Sequence, residues 1–182
     1  MKKLLYLLLA VTTLSVTACE KDGSGGGGNC NLPSTTVPAE LVGSWVNGYT
    51  SFSQIVDAYN GKFLGTTWKS GRYLKLEANG KNAELYIMGG SMFSEFATKV
   101  QGTVSFNAAD GSFQFHVCDA YYKGWQNGQM TVNRPATDSE KEQMTGNLQF
   151  YYGFENSGGT NWLQLRFMSM PGASPTSFRK AN

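Results

Sequence analysis

Beyond residue 40 the chain is predicted to be all-β, an antiparallel up-and-down β-barrel of about eight to ten strands, with a two-sheet β-sandwich as the alternative. Apolar residues occupy every second position in many short runs, as in strands that bury one face. Turn residues separate the runs at short intervals, which is typical of hairpins. The meander of hairpins favours the barrel, because a closed barrel leaves no exposed strand edges.

The first 18 residues have the layout of an export signal. Lys2 and Lys3 precede an apolar stretch from Leu4 to Val11, and small residues lead into Cys19, the order that such signals require. The apolar stretch is too short to span a bilayer. Its end resembles the bacterial lipobox, so residues 1–18 are expected to be removed and Cys19 to carry lipid.

This resemblance implies that the protein's partner at its N-terminus is a membrane. Two or three acyl chains on Cys19 would make attachment effectively permanent. Glu20 follows the cysteine, which by resemblance to Gram-negative sorting rules favours the outer membrane, with the domain facing the periplasm or the cell exterior. Residues 19–39 are predicted to form a lipidated, flexible glycine-rich tether, and residues 40–182 the barrel.

Composition excludes several functions. Removal of residues 1–18 takes away two of the 15 basic side chains, leaving 13 against 13 acidic ones. The resulting neutral chain lacks the basic face that nucleic acid requires. No zinc motif, phosphate loop or nucleophile elbow is present, and His116 is the sole histidine. We therefore expect no catalytic residues, no metal and no cofactor.

Two cysteines remain besides Cys19. An oxidising compartment would allow a disulfide between Cys30 and Cys118, and the alternative is a pair of free thiols.

The first predicted strand covers Leu41–Thr50. Asn60-Gly61 then suggests a hairpin between Ser53–Tyr59 and Lys62–Trp68, with a loop or lid as the alternative. Gln129–Asn133 is predicted as a short strand. Asp138–Met144 is predicted as a helix of one or two turns, because Thr137 and Glu140 are spaced as a capping box.

For two hairpins the sequence predicts which residues pair across the strands, and for a third it predicts which side chains face inward. Around Asn79-Gly80, whose residues suit a two-residue turn with positive φ, Leu74 should lie opposite Leu85. In the second, a loop at Asn107–Asp110 places Phe106 opposite Gly111 and Val104 opposite Phe113. In the third, Leu148, Phe150, Tyr152 and Phe154 face inward, Glu155–Thr160 forms the loop, and Leu163, Leu165 and Phe167 return.

Gly43-Ser44-Trp45 matches the Gly-x-Trp that opens the first strand of lipocalins and their calycin relatives. The resemblance to that family implies that Trp45 closes one end of the barrel and packs against Arg166, from the predicted last strand. An indole face accepts a guanidinium by stacking. An eight-stranded barrel is either filled by side chains or holds one small ligand.

Several aromatic residues fall off the inward pattern, and Tyr73 and Tyr86 lie opposite each other in their hairpin. Rings on an outer sheet face can stack on sugars, and cross-strand pairing is the structural alternative. The candidate ligand or glycan contacts are Tyr73, Tyr86, Trp125, Tyr151 and Trp162.

The leading hypothesis is a lipid-anchored, lipocalin-like binding protein of the cell envelope that takes a small apolar ligand or another envelope component. The alternatives are a surface carbohydrate-binding β-sandwich and a structural or inhibitory protein-interaction module.

Overall fold

A computed structural model describes residues 30–49, 51–61, 70–91 and 93–181. Over these residues the fold consists of antiparallel strands and two short helices. The strands are β1 (Gly43–Asn47), β2 (Gly71–Leu76), β3 (Ala83–Gly90), β4 (Ser94–Asn107), β5 (Ser112–Gln126), β6 (Gln129–Pro135), β7 (Gln149–Ser157), β8 (Thr160–Phe167) and β9 (Thr176–Lys180), and the helices are α1 (Phe52–Tyr59) and α2 (Asp138–Asn147).

The strands form one sheet that closes in a ring, so the predicted all-β antiparallel fold is confirmed. Their order is β4-β3-β2-β1-β9-β8-β7-β5-β6, and β4 also pairs with β5. Eight strands therefore form the ring, and their order around it is their order in the chain. The ninth strand, β6, lies outside the ring and, among the described strands, pairs only with β5. The sequence reading missed β9, which pairs with both β1 and β8 and completes the ring.

Strand β5 is long enough to have three neighbours. One edge pairs with β4 over nearly its whole length, while the other pairs with β7 at Ser112–Gln114 and with β6 at Tyr121–Gln126. Between those stretches the edge of β5 contacts α2: the Val117 amide donates to Thr145 Oγ1 at 2.9 Å. As a result, the N-terminal part of β4 and the C-terminal part of β5, together with β6, extend past β7. These three strands are here named the flap.

The first predicted hairpin has the expected register and a different turn. Leu74 lies opposite Leu85, as predicted. Positive φ values occur at Gly80 and Asn82, so the predicted turn with positive φ at both Asn79 and Gly80 is wrong. The loop spans residues 77–82, and other segments bond to its carbonyls: the Val104 amide donates to Gly80 O at 2.8 Å and the Val37 amide to Ala78 O at 3.0 Å.

The second predicted register is wrong by two residues. Phe106 pairs with Phe113, not Gly111, and Val104 pairs with Phe115, not Phe113. Gly111, with φ of 64°, ends the loop that was predicted to close one residue earlier. Alternation fixes only which face a side chain takes, and a shift of two residues leaves each face unchanged.

The third hairpin is tighter than predicted. Leu163 and Phe154 pair and face the interior, as expected, but β7 and β8 run on to a two-residue turn rather than the predicted six-residue loop. Gly158 and Gly159 both have positive φ, 60° and 77°, which matches the twist of a hairpin.

The stretch predicted as strand Ser53–Tyr59 is instead helix α1. Ser51 caps it by accepting from the Gln54 amide, and Ile55 and Ala58 are buried at helical spacing. The other half of that predicted hairpin, at residues 62–68, lies outside the described residues. The predicted strand at Gln129–Asn133 and the capping box of α2 are confirmed, although α2 extends to Asn147.

Residues 30–39 were predicted as part of the flexible tether, and they instead pack on the barrel. Thr103 Oγ1 donates to Pro33 O at 2.6 Å, and Thr35 N donates to Val104 O at 3.1 Å. Val37 is buried in the inner core. These two hydrogen bonds and the burial of Val37 hold residues 33–37 against β4 and the inner core.

Candidate functional site

One end of the barrel, here named the closed end, is sealed by the segment before β1. Leu41 is fully buried there, and Trp45 Nε1 donates to Leu41 O at 2.8 Å. Lys180 of β9 places its ammonium 5.5 Å from the centre of the Trp45 ring, within the range of a cation–π contact. Trp45 is therefore buried between the segment before β1 and Lys180 of β9.

The predicted partner of Trp45 is wrong. Arg166 is exposed on the outer face of β8, opposite Tyr151, with its guanidinium 5.5 Å from the Tyr151 ring. Its neighbours Leu165 and Phe167 face the interior, and alternation then directs Arg166 outward. Because β9 is the strand beside β1, a β9 residue takes the place predicted for β8.

Three of the five candidate ring contacts are buried. Tyr73, Tyr86 and Trp125 lie on the outer face of the barrel, in a second apolar cluster with Ile55 of α1. The Tyr73 and Tyr86 rings meet at 5.8 Å, edge to face. The expectation that they face a ligand is therefore wrong, because helix α1 covers the face on which they stand.

The other two rings remain partly exposed. Tyr151 and Trp162 are half-buried on the outer face of β7 and β8. Between them lies Gly153, and no atom lies within 4 Å of the place where a Cβ would stand. Gln164, opposite Gly153, donates to Glu155 Oε2 at 2.9 Å. This face therefore carries two partly exposed rings and polar side chains.

The predicted disulfide is present. Cys30 bonds Cys118 in β5, and their Cα atoms are 5.8 Å apart. The predicted lipid site, Cys19, lies outside the described residues.

The opposite end of the barrel, here named the open end, is lined by one row of inward-facing residues across four strands. Arg72, Ile87, Thr98 and Tyr122 occupy successive register positions on β2, β3, β4 and β5. All four are half-buried, whereas the inward-facing residues of the closed end, such as Leu76, are fully buried. Within the described residues, the rim on the Arg72 side is therefore partly exposed to solvent, and the next inward row, such as Leu74 and Leu85, is buried.

A small cavity begins at the open end. Its volume is about 10 Å³, roughly the space of one water molecule. The residues that line it are Arg72, Leu74, Leu85, Ile87, Phe150, Leu165, Phe167, Thr176 and Phe178. Arg72 is the one charged side chain in this lining.

Next to the open end, the flap carries exposed apolar side chains. Phe96 and Val132 are 47% and 38% exposed. They belong to the next inward row, because Gly124 lies opposite both of them. A Cβ on Gly89 would lie 2.7 Å from Cζ of Phe96, so the Phe96 ring covers the Gly89 backbone beside Ile87. The open end therefore continues into an apolar surface formed by Phe96 and Val132, here named the Phe96 shelf.

Among the described residues, two arginines lie near the open end, and only one of them, Arg134, is paired with a carboxylate. Arg134, 5.2 Å from the Tyr122 ring, binds Glu140 through both terminal nitrogens at 2.8 and 2.7 Å. Arg72 donates through Nη1 to Thr176 Oγ1 at 2.7 Å and lies 5.7 Å from the centre of the Phe167 ring. No carboxylate of the described residues pairs with it. Burial lowers the pKa of Arg72 from 12.5, yet an arginine remains charged at neutral pH.

Arg72 was missed by sequence reasoning, although a signal was present. Leu74 and Leu76 were assigned inward positions on their strand, and Arg72 is at the next inward position of the same alternation. A charged residue at an inward position marks either a strand end or a site. Without the ring topology, those two possibilities looked the same.

The remaining polar groups form no further centre among the described residues. His116 Nε2 and Ser105 Oγ are 2.7 Å apart, and burial lowers the pKa of His116. The described chain holds no group of three or more histidine, cysteine or acidic residues arranged for a metal. None of its helices is both long and apolar enough to cross a membrane.

Comparison of the chain with protein-family models, with curated proteins and with solved structures finds no match.

Proposed function

We propose that this protein is a lipid-anchored binding protein of the cell envelope that takes a small ligand with an apolar part at the open end of its barrel. The observation that carries the proposal is the difference between the two ends. Ile87 and Phe167, which line the cavity at one end, are half-buried, and the other end is sealed by Leu41 and Trp45. Ligand sites are concave and largely apolar, with few polar groups.

The volume of the cavity limits how much of the ligand can lie inside the barrel. A space of about 10 Å³ is far below the roughly 300–1,000 Å³ of a site that encloses a drug-sized molecule. The ligand therefore lies mainly at the open end and along the Phe96 shelf, rather than inside the barrel.

The anchor follows from the lipobox-like segment at Cys19, and the disulfide supports export. Disulfides persist in oxidising compartments and are rare in the cytosol, and Cys30 is bonded to Cys118. Incorporation of an alkyne-tagged palmitate in an expressing bacterium tests the anchor. Cys19→Ser should abolish the label, and Cys118→Ser should leave it unchanged. Equal labelling of the two variants would contradict the anchor.

Ligand binding at the open end is tested with the full chain in lipid nanodiscs, labelled at isoleucine, leucine and valine methyls. Titration with 1-octanol, corrected with empty discs, should shift the Ile87 methyl signals and leave those of Leu41 in place. Thr98→Phe, which fills the open end, should suppress the shifts. Gln101→Phe, on the same strand and the other face, is the control. Octanol shifts that persist in Thr98→Phe would contradict the proposed site.

Glycan binding is a second candidate function, favoured by the face of β7 and β8. Two half-exposed rings, Tyr151 and Trp162, flank an unobstructed Gly153 beside an ordered Gln164–Glu155 pair. Trp162→Ala should remove binding on a glycan array if this face is the site, and Tyr73→Phe, under α1, should not. Glycan binding that survives Trp162→Ala would exclude this face.

A further inference from the structure

We propose that the ligand of the open end is an anionic amphiphile, whose carboxylate or phosphate group binds Arg72 and whose apolar chain lies along the Phe96 shelf. This inference rests on the proposed function and names the chemical class of its ligand.

Arg72 carries a charge that no carboxylate of the described residues compensates. A half-buried charge loses part of its hydration, which is costly unless the charge is paired. Arg134, in the same register row four strands away, is paired with Glu140. Arg72 has only the Thr176 hydroxyl and the Phe167 ring. A guanidinium carries five N–H donors, and the bond to Thr176 uses one of them. The remaining donors match the two-pronged geometry of a carboxylate or phosphate.

Burial lowers the pKa of Arg72, because the guanidinium loses part of its hydration. An anion at this place would reverse that effect, because it favours the charged form. The environment thus selects against a cationic ligand and favours a negatively charged group.

An apolar surface continues from the Arg72 guanidinium. Ile87 lies directly opposite Arg72, and the Phe96 ring covers Gly89, two residues further along β3. Strand geometry places the Cα atoms of Arg72 and Gly89 roughly 8 Å apart, within the length of a short alkyl chain. Val132 prolongs the shelf on β6. An anion at Arg72 thus has an apolar path leading away from it.

The test compares four eight-carbon probes with one chain and different headgroups: octanoate, octyl phosphate, 1-octanol and octylammonium. Binding to the full chain in nanodiscs is measured by titration calorimetry, with empty discs subtracted. Octanoate or octyl phosphate should bind at least tenfold more tightly than octanol, and octylammonium should bind more weakly than octanol. The anion with the higher affinity identifies the preferred headgroup as carboxylate or phosphate.

The variants separate charge from fold. Arg72→Gln should lower the affinity for the preferred anion at least tenfold and leave that for octanol unchanged, while Arg72→Lys should retain part of the preference. Arg166→Gln, an exposed arginine on the outer face, should change neither affinity. The unchanged octanol affinity of Arg72→Gln reports that the open end is intact.

The outcomes also separate this inference from the proposed function. Equal affinities for octanol and both anions, or an Arg72→Gln variant that keeps the anion preference, would overturn the inference while the open end remains a binding site. No binding of any probe above that of empty discs would overturn the proposed function, and the inference with it.

Discussion

Removal of the Cys30–Cys118 disulfide should cost a large part of the stability of this domain. The bond closes a loop between residues 88 positions apart. In the loop-entropy model, a closed loop of this length restricts the unfolded chain by about 4.6 kcal/mol at 25 °C. Since domains of 150–250 residues shift by about 2–4 °C per kcal/mol, the melting temperature should fall by roughly 9–18 °C.

The assay is urea unfolding of the double variant Cys30→Ser/Cys118→Ser, with Cys19→Ser as the control. The midpoint should fall and the slope m should rise, because the unfolded chain without the bond exposes more surface. Cys19→Ser should change neither quantity. A loss below about 1 kcal/mol with an unchanged m would refute the reasoning, because the bond would then not restrict the unfolded state.

Three further predictions concern the closed end, α2 and the cluster under α1. Leu41→Ala should destabilise the fully buried closed end by about 2–5 kcal/mol in urea unfolding, and the exposed Leu32→Ala should cost less than about 0.5 kcal/mol; equal effects would contradict the seal. Hydrogen bonds from Arg134 and the Thr137 backbone lower the pKa of Glu140 from 4.5 to about 2. Its stabilisation should therefore be complete above pH 4.5 and lost as the pH falls through 2, and Glu140→Gln should flatten that part of an acid-unfolding curve. Burial raises the pKa of Tyr59 from 10.0 to about 12, so its contribution should be complete below pH 10 and lost as the pH rises through 12. Tyr59→Phe should then unfold less steeply over that interval, and an unchanged alkaline unfolding curve would contradict this cause.

Side-chain alternation was sufficient to predict the strands and the faces of their residues. Leu74 and Leu85 are opposite each other as predicted, because one face must be apolar. The same rule could not separate registers that differ by two residues, so the Phe106–Phe113 pair was missed. The turn glycine Gly111 decides between those registers, and its φ becomes visible only in the structure.

The candidate site was less accessible to sequence reasoning. Tyr73 and Tyr86 were placed on the correct face, but that face is covered by α1, whose eight residues were read as a strand. Trp45 was assigned to the closed end from a short motif, and its cationic neighbour Lys180 belongs to a strand that was missed. Arg72 gained meaning only when the ring placed β2 beside the cavity. Pairings between distant segments decide such features, and local pattern does not contain them.

Binding of an anionic amphiphile at the Arg72 end of the barrel can be seen in a crystal structure of the full chain with octanoate or octyl phosphate, whichever binds more tightly. The headgroup oxygens should lie within hydrogen-bond distance of the Arg72 guanidinium, with the alkyl carbons against Ile87 and Phe96. Electron density for the probe at the Trp162 face, or beneath Leu41 at the closed end, would contradict binding at the open end.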